Sequence, residues 1–262
     1  MKSLILRSKK AVFAHTHGIF GARRGEGFEF VELAGYDYAS DARRIDWMAL
    51  AKSGELYMKI YEEELAQRIA LVPLISGSLY FGYQRLKFEM LIEALALIAH
   101  SALLCREELT LFWQDRPYRP QSHFEADKIV QKIAENPPIG QKLQFEKSSL
   151  FAKLPNRSLL ILLGDFLEPI KIKALAAKHD VVAIALACRP ITLNTHTQLK
   201  DVESLRTKST TLTPATIANH AYKLHKIQQT NLLELEKRGV DTLRIFEDES
   251  IFDALFHFFG SR

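Results

Sequence analysis

From residue 69 onward the chain alternates short, continuously apolar runs with longer stretches whose apolar positions recur at helical spacing. The runs are IALVPLI (69–75), LTLFW (109–113), SLLILL (158–163), VVAIALA (181–187) and TLRIF (242–246). Each is too short for a core helix and apolar on both faces, which predicts strands buried in a mainly parallel sheet. Residues 86–104 carry apolar side chains on most faces and predict a helix covered by protein. Residues 124–134 predict another, halted at Asn136-Pro137-Pro138, where proline can neither donate the ladder hydrogen bond nor fit against the preceding turn. Glu168-Pro169 predicts a third helix start, because proline at a first helical position loses nothing. Thr213-Pro214 opens a long polar helix that Lys237, Arg238 and Gly239 close, and residues 251–259 supply the last.

Strands separated by helices imply right-handed crossovers and a sheet covered on both faces. The expectation over residues 69–262 is therefore a Rossmann-like three-layer α/β domain. Residues 1–68 break the alternation. Their glycine-rich, aromatic, charge-alternating text predicts an N-terminal β-rich extension of short strands and turns, packed beside the sheet. The Thr- and Ser-rich segment 190–213 predicts an exposed irregular excursion.

At 262 residues, 47% of them hydrophobic and 25% charged, the chain has the composition of an ordinary soluble globular protein. Lys+Arg 35 against Asp+Glu 31 leaves +4, too small a surplus to demand a polyanion, so no nucleic-acid partner is expected. Cys105 and Cys188 lie in apolar stretches with no metal-site spacing, which predicts buried thiols in a reducing compartment. No apolar run approaches the roughly 20 residues that span a bilayer. Arg7, Lys9 and Lys10 interrupt the only N-terminal apolar stretch, unlike a secretory signal. These features predict a cytoplasmic protein without membrane insertion.

The common catalytic motifs are missing. Ser78 lacks the flanking glycines of a nucleophile elbow, and Gly25-Glu26-Gly27 lacks the third glycine and preceding strand of a dinucleotide fingerprint. His15 and His17 form an isolated pair that reads as surface, and Glu62, Glu63 and Glu64 read as a solvated edge able to meet a basic partner. In an open α/β sheet ligands bind beyond the carboxyl ends of the strands, at the switch in strand order. That rule singles out Ile75-Ser76-Gly77-Ser78 and Gly164-Asp165-Phe166.

The span from Arg23 to Tyr61 is strongly non-random. Arg23/Arg24, Gly25, Gly27, Glu29 and Phe30 form one segment, and Arg43, Ile45, Asp46 and Trp47 form a second, both standing before the first apolar run. This order resembles the domain-of-unknown-function 58 family, with its R-x-x-G-x-G-x-E-F and R-x-I-D-W segments ahead of a von Willebrand A-like domain. The resemblance implies a magnesium site built from a D-x-S-x-S loop, a later aspartate and a threonine. Ser76, Ser78 and Asp165 match the two serines and that aspartate, whereas Leu74 stands where the leading aspartate belongs. Mg²⁺ needs carboxylate charge to offset its dehydration. A degenerate, metal-free, MIDAS-like site is therefore expected, with no cofactor.

The resemblance also implies work beside a MoxR-type AAA+ ATPase, as an adaptor in protein-complex assembly or maturation and not as an enzyme. Arg23, Arg43, Trp47, Tyr80 and Glu168 are the expected contact residues, since Trp, Tyr and Arg dominate interface hot spots. For Trp47 and Phe30 the preferred reading is packing, filling the seam between extension and sheet while Arg43 pairs with Asp46. The alternative function is a metal-dependent hydrolase that uses Asp165.

Overall fold

The computed structural model describes residues 2–14, 29–35, 45–62, 67–143, 145, 152–154, 157–189, 197–198, 211–212 and 214–262. The chain divides into two compact units, residues 22–66 and the remainder. In chain order the elements are helix α1 (Lys2–Ala14), strand β1 (Glu29–Gly35), helix α2 (Trp47–Ser53) and strand β2 (Tyr57–Glu62). Next come β3 (Arg68–Pro73), α3 (Lys87–Leu104), β4 (Glu108–Trp113), β5 (Arg116–Tyr118), α4 (His123–Ala134) and β6 (Leu159–Gly164). The chain continues through α5 (Lys173–Ala176), β7 (Asp180–Ala187), β8 (Thr197–Gln198) and β9 (Thr211–Leu212), then α6 (Pro214–Glu236), β10 (Asp241–Phe246) and α7 (Ile251–Ser261).

In the smaller unit β1 and β2 pair antiparallel, with an irregularity between Phe30 and Glu32. The short helix α2 is capped at both ends. Asp46 accepts from the amides of Met48 and Ala49, and Gly54, in the left-handed region at φ 73°, donates back to the Leu50 carbonyl. These are the orphan groups that a helix leaves at its termini.

The larger unit is built on a six-stranded sheet in the order β10-β7-β6-β3-β4-β5, parallel throughout except for β5. Side-chain alternation sends the sheet's buried residues to two cores. Ile69, Leu71, Leu111, Ile161, Leu163 and Ile184 meet α1, α3, α4 and α7 on one face. Ala70, Val72, Leu160, Leu162 and Ala183 meet Leu175, Leu232 and Leu235 of α5 and α6 on the other. The architecture is a three-layer α/β fold. Helix α3 touches the sheet on one side and α1, α4 and α7 on the others, which is why it can be apolar on nearly every face.

Several expectations need correction. Residues 2–14 are helical, and Ile5, Ser8 and Val12, at spacings of three and four, are buried. So the first 68 residues are not β-rich throughout. No helix opens at Glu168-Pro169. Residues 165–172 stay irregular, with Ile170 and Ile172 buried two apart, and only the four-residue α5 follows. Strand β5 was not expected. Gln114 and Asp115 both take left-handed φ values (50° and 56°), closing a two-residue hairpin whose twist suits the β4–β5 pair. Most of 190–213 lies outside the described residues.

Candidate functional site

The sheet's strand order reverses between β3 and β6. From β3 the chain crosses through α3 to β4 on one side, and from β6 through α5 to β7 on the other. Their carboxyl-end loops part there, leaving a crevice at the topological switch point. The Leu74 amide donates to the Leu163 carbonyl at 2.8 Å, so the two loops start from a common rung.

Ser76 is buried and its Oγ lies 2.7 Å from that of Ser78. Their loop is tied down by the Gly77 amide, which donates to the Gln141 carbonyl at 2.7 Å. Leu74 is also buried, in the core that holds Val72, Leu162 and Phe166. Across from it Asp165 is buried, but its partner is neither serine. Lys87 Nζ, from the first turn of α3, stands 2.7 Å from Asp165 Oδ2, with the two side chains 6% and 7% exposed. Neither hydroxyl hydrogen-bonds to Asp165 among the described residues.

The loop after β6 is held by side chains from α6. Gln228 donates to the carbonyls of Asp165 (2.8 Å) and Leu186 (3.0 Å), and Asn231, three residues on, donates to those of Phe166 (2.9 Å) and Leu167 (3.2 Å). The carbonyls of Asp165, Phe166 and Leu167 project from a turn in which Phe166 has a φ of 49°. Satisfying them directly is what lets irregular backbone stay buried.

The loop that delivers Lys87 is fixed from the opposite edge of the sheet. The carboxylate of Glu247, just past β10, accepts from the amides of Tyr83 (3.0 Å), Gln84 (3.2 Å) and Arg85 (3.5 Å). Successive amides turned toward one point form an anion-binding concavity, here filled by the protein's own carboxylate. The turn requires glycine at 82, because a Cβ there would lie 1.8 Å from the Arg85 carbonyl oxygen.

Beside Lys87 lies a cavity of about 30 Å³, bordered by Phe81, Tyr83, Cys188 and Gln228. That is space for water, not for a substrate. Burial pushes the Cys188 thiol up to about 12, with Lys87 pulling it down and Glu247 pushing it further up. A second cleft of about 690 Å³ opens on the β4 side, walled by Leu74, Phe112, Trp113 and Phe145.

The donor set does not fit a magnesium ion. The leading position is an apolar side chain locked in the core, the hydroxyls are neutral, and the one carboxylate is already paired with an ammonium group. Among the described residues no three His, Cys, Asp or Glu side chains are grouped to hold a metal. Among the described residues of this site, Cys188 is held as the thiol and the two serines bond to each other.

Of the expected contact residues, Tyr80 is 36% exposed at the end of the serine loop and Glu168 is exposed after β6. Trp47 opens α2 and is 64% exposed, and Asp46 serves as the cap of that helix. Arg23 and Arg43 lie outside the described residues, as do Gly25, Gly27, His15 and His17. Lys87, Gln228, Asn231 and Glu247 were missed. The spacing of Gln228 and Asn231 on one helical face was the available signal, whereas Lys87 carries none, since a lysine in a first helical turn reads as surface.

Among the described residues no helix is long and apolar enough to cross a membrane. No curated protein and no solved structure shows a match to this sequence. A family does: the model for DUF58, described as a protein of unknown function, matches residues 32–208, from β1 through the whole crevice between β3 and β6, and the chain belongs to that family.

Proposed function

We propose that this chain is a non-enzymatic protein-interaction module that works as an adaptor beside a MoxR-type AAA+ ATPase in the assembly or maturation of a protein complex. The observation that carries this reading is the closed Lys87–Asp165 pair. Among the described residues it leaves the floor of the switch-point crevice without an unpaired carboxylate or an activated nucleophile, while Tyr80 and Glu168 remain exposed on the flanking loops. Such a place suits contact better than chemistry. The strand order, with its antiparallel edge strand, supports reading the domain as von Willebrand A type. A cytoplasmic setting goes with this reading. Trp47, exposed beside Met48, is a second anchor of the kind that dominates interfaces. The alternative of a metal-dependent hydrolase using Asp165 gains little from the crevice, because Lys87 already holds that carboxylate.

The test is capture of partners by the tagged full chain, with and without ATP and Mg²⁺, read by mass spectrometry. Recovery of an AAA+ ATPase with the native chain and its loss with Tyr80→Ala/Glu168→Lys is the expected result. Equal recovery with that variant would remove the crevice rim from the interface, and recovery of no ATPase under any condition would sink the pairing itself. The exposed positions are chosen because Asp165, being buried, would confound binding with folding.

A further inference from the structure

We propose that Lys87 is the resident cation of the switch-point crevice: its ammonium group takes the place a divalent ion would hold beside Asp165, and the site is complete without metal.

Charge count is the argument. A buried site is tolerable when its charges sum to zero and each is hydrogen-bonded. Two carboxylates with one divalent ion satisfy that condition. With Leu74 in the leading position only Asp165 remains beside the serine loop, the buried Glu247 being engaged by the amides of Tyr83, Gln84 and Arg85. Adding a divalent ion at Asp165 would leave a net positive charge there in an apolar surround. One carboxylate with one ammonium is neutral, and at 2.7 Å, with both side chains almost fully buried, Lys87 and Asp165 supply that combination. The leucine and the lysine are therefore two halves of one arrangement. Lys87 also arrives already oriented, because Glu247 clamps the amides of Tyr83 and Gln84, and Gly82 permits the turn before it. A tethered cation loses far less freedom on binding than an ion drawn from solution. An ion entering the crevice would have to expel the ammonium from a position the fold holds for it.

The proposal does not depend on any partner and is tested on the isolated full chain by thermal melting. The native protein should melt at the same temperature in EDTA and in excess MgCl₂ or MnCl₂. Lys87→Met should lower the midpoint by on the order of 10 °C, since breaking a buried pair strands a charge. Adding Asp165→Asn to that variant should restore most of the loss, and no divalent ion should raise the midpoint of the native chain. A native midpoint that rises with Mg²⁺ or Mn²⁺ and loses the rise in Asp165→Asn would overturn the proposal. So would Lys87→Met melting like the native chain. Should Lys87→Met not fold, the native titration still decides.

Discussion

A Cβ built on Gly164 would fall 2.7 Å from Leu74 Cβ, closer than non-bonded carbon atoms pack. The last residue of β6 and the first after β3 thus share one volume, and the leucine's bulk depends on the glycine's lack of a side chain. Gly164→Ala should lower stability by about 1–3 kcal/mol through overpacking. Leu74→Ala alone should cost about 2–5 kcal/mol by leaving a cavity. Urea unfolding of the double variant should show a loss smaller than the sum, the mark of direct contact.

Glu247→Ala should release the amides of Tyr83, Gln84 and Arg85 together. The expected cost is about 1–3 kcal/mol, because buried donors are left unmet. Glu247→Gln, which keeps an acceptor oxygen, should lose less. Hydrogen exchange is the sharper readout: protection of the Tyr83 and Gln84 amides should disappear in the alanine variant while that of β3 and β6 persists.

Acid should weaken the fold through the half-buried cluster around His100 beneath α1. His100 Nε2 lies 2.9 Å from Asp127 Oδ1, its Nδ1 lies 2.9 Å from His123 Nδ1, and Lys9 of α1 stands 3.6 Å from Asp127. Burial holds His100 below the ordinary 6.5, with Asp127 opposing and His123 and Lys9 adding to the shift. Burial and then Lys9 do the same to His123. The unfolded chain therefore takes up protons near pH 6.5 that the folded chain refuses until lower pH. Stability should be flat in this respect above about pH 7 and should fall as pH drops through 6.5. Denaturant melts at pH 7.5 and 5.5 should show the fall, and His123→Gln should reduce it. An unchanged slope in that variant would assign the acid sensitivity elsewhere.

Cys188 should be chemically quiet. With its thiol pushed up to about 12, roughly one molecule in ten thousand carries the thiolate at pH 8. Aromatic disulfide reagents should label the unfolded chain rapidly and the native Cys188 orders of magnitude more slowly. Rapid native labelling would mean that the cavity beside Lys87 opens to solvent.

The strands were legible because a run such as 158–163 is apolar on both faces and has few alternatives to burial in a sheet. The switch-point loops were legible for the same reason, as the ends of those runs. Helix α1 was not read, although its buried Ile5, Ser8 and Val12 carry the helical spacing, because the glycine- and arginine-rich text after it dominated the view of the first 68 residues. At Glu168-Pro169 the local signal for a helix was sound. Packing overrode it: the buried Ile172 and the carbonyls held by Asn231 fix an irregular path.

By itself, then, the sequence determined the layered α/β class and the identity of five strands, together with an apolar Leu74 at the carboxyl end of the first of them. It could not determine which strands adjoin, because an apolar run specifies burial and leaves its neighbours open. Only the tertiary structure set β3 against β6 and thereby brought Lys87 to Asp165, 78 positions apart in the chain. That contact is a property of crossovers on opposite sides of one sheet, and it leaves the buried Asp165 carboxylate paired with an ammonium group from the chain itself.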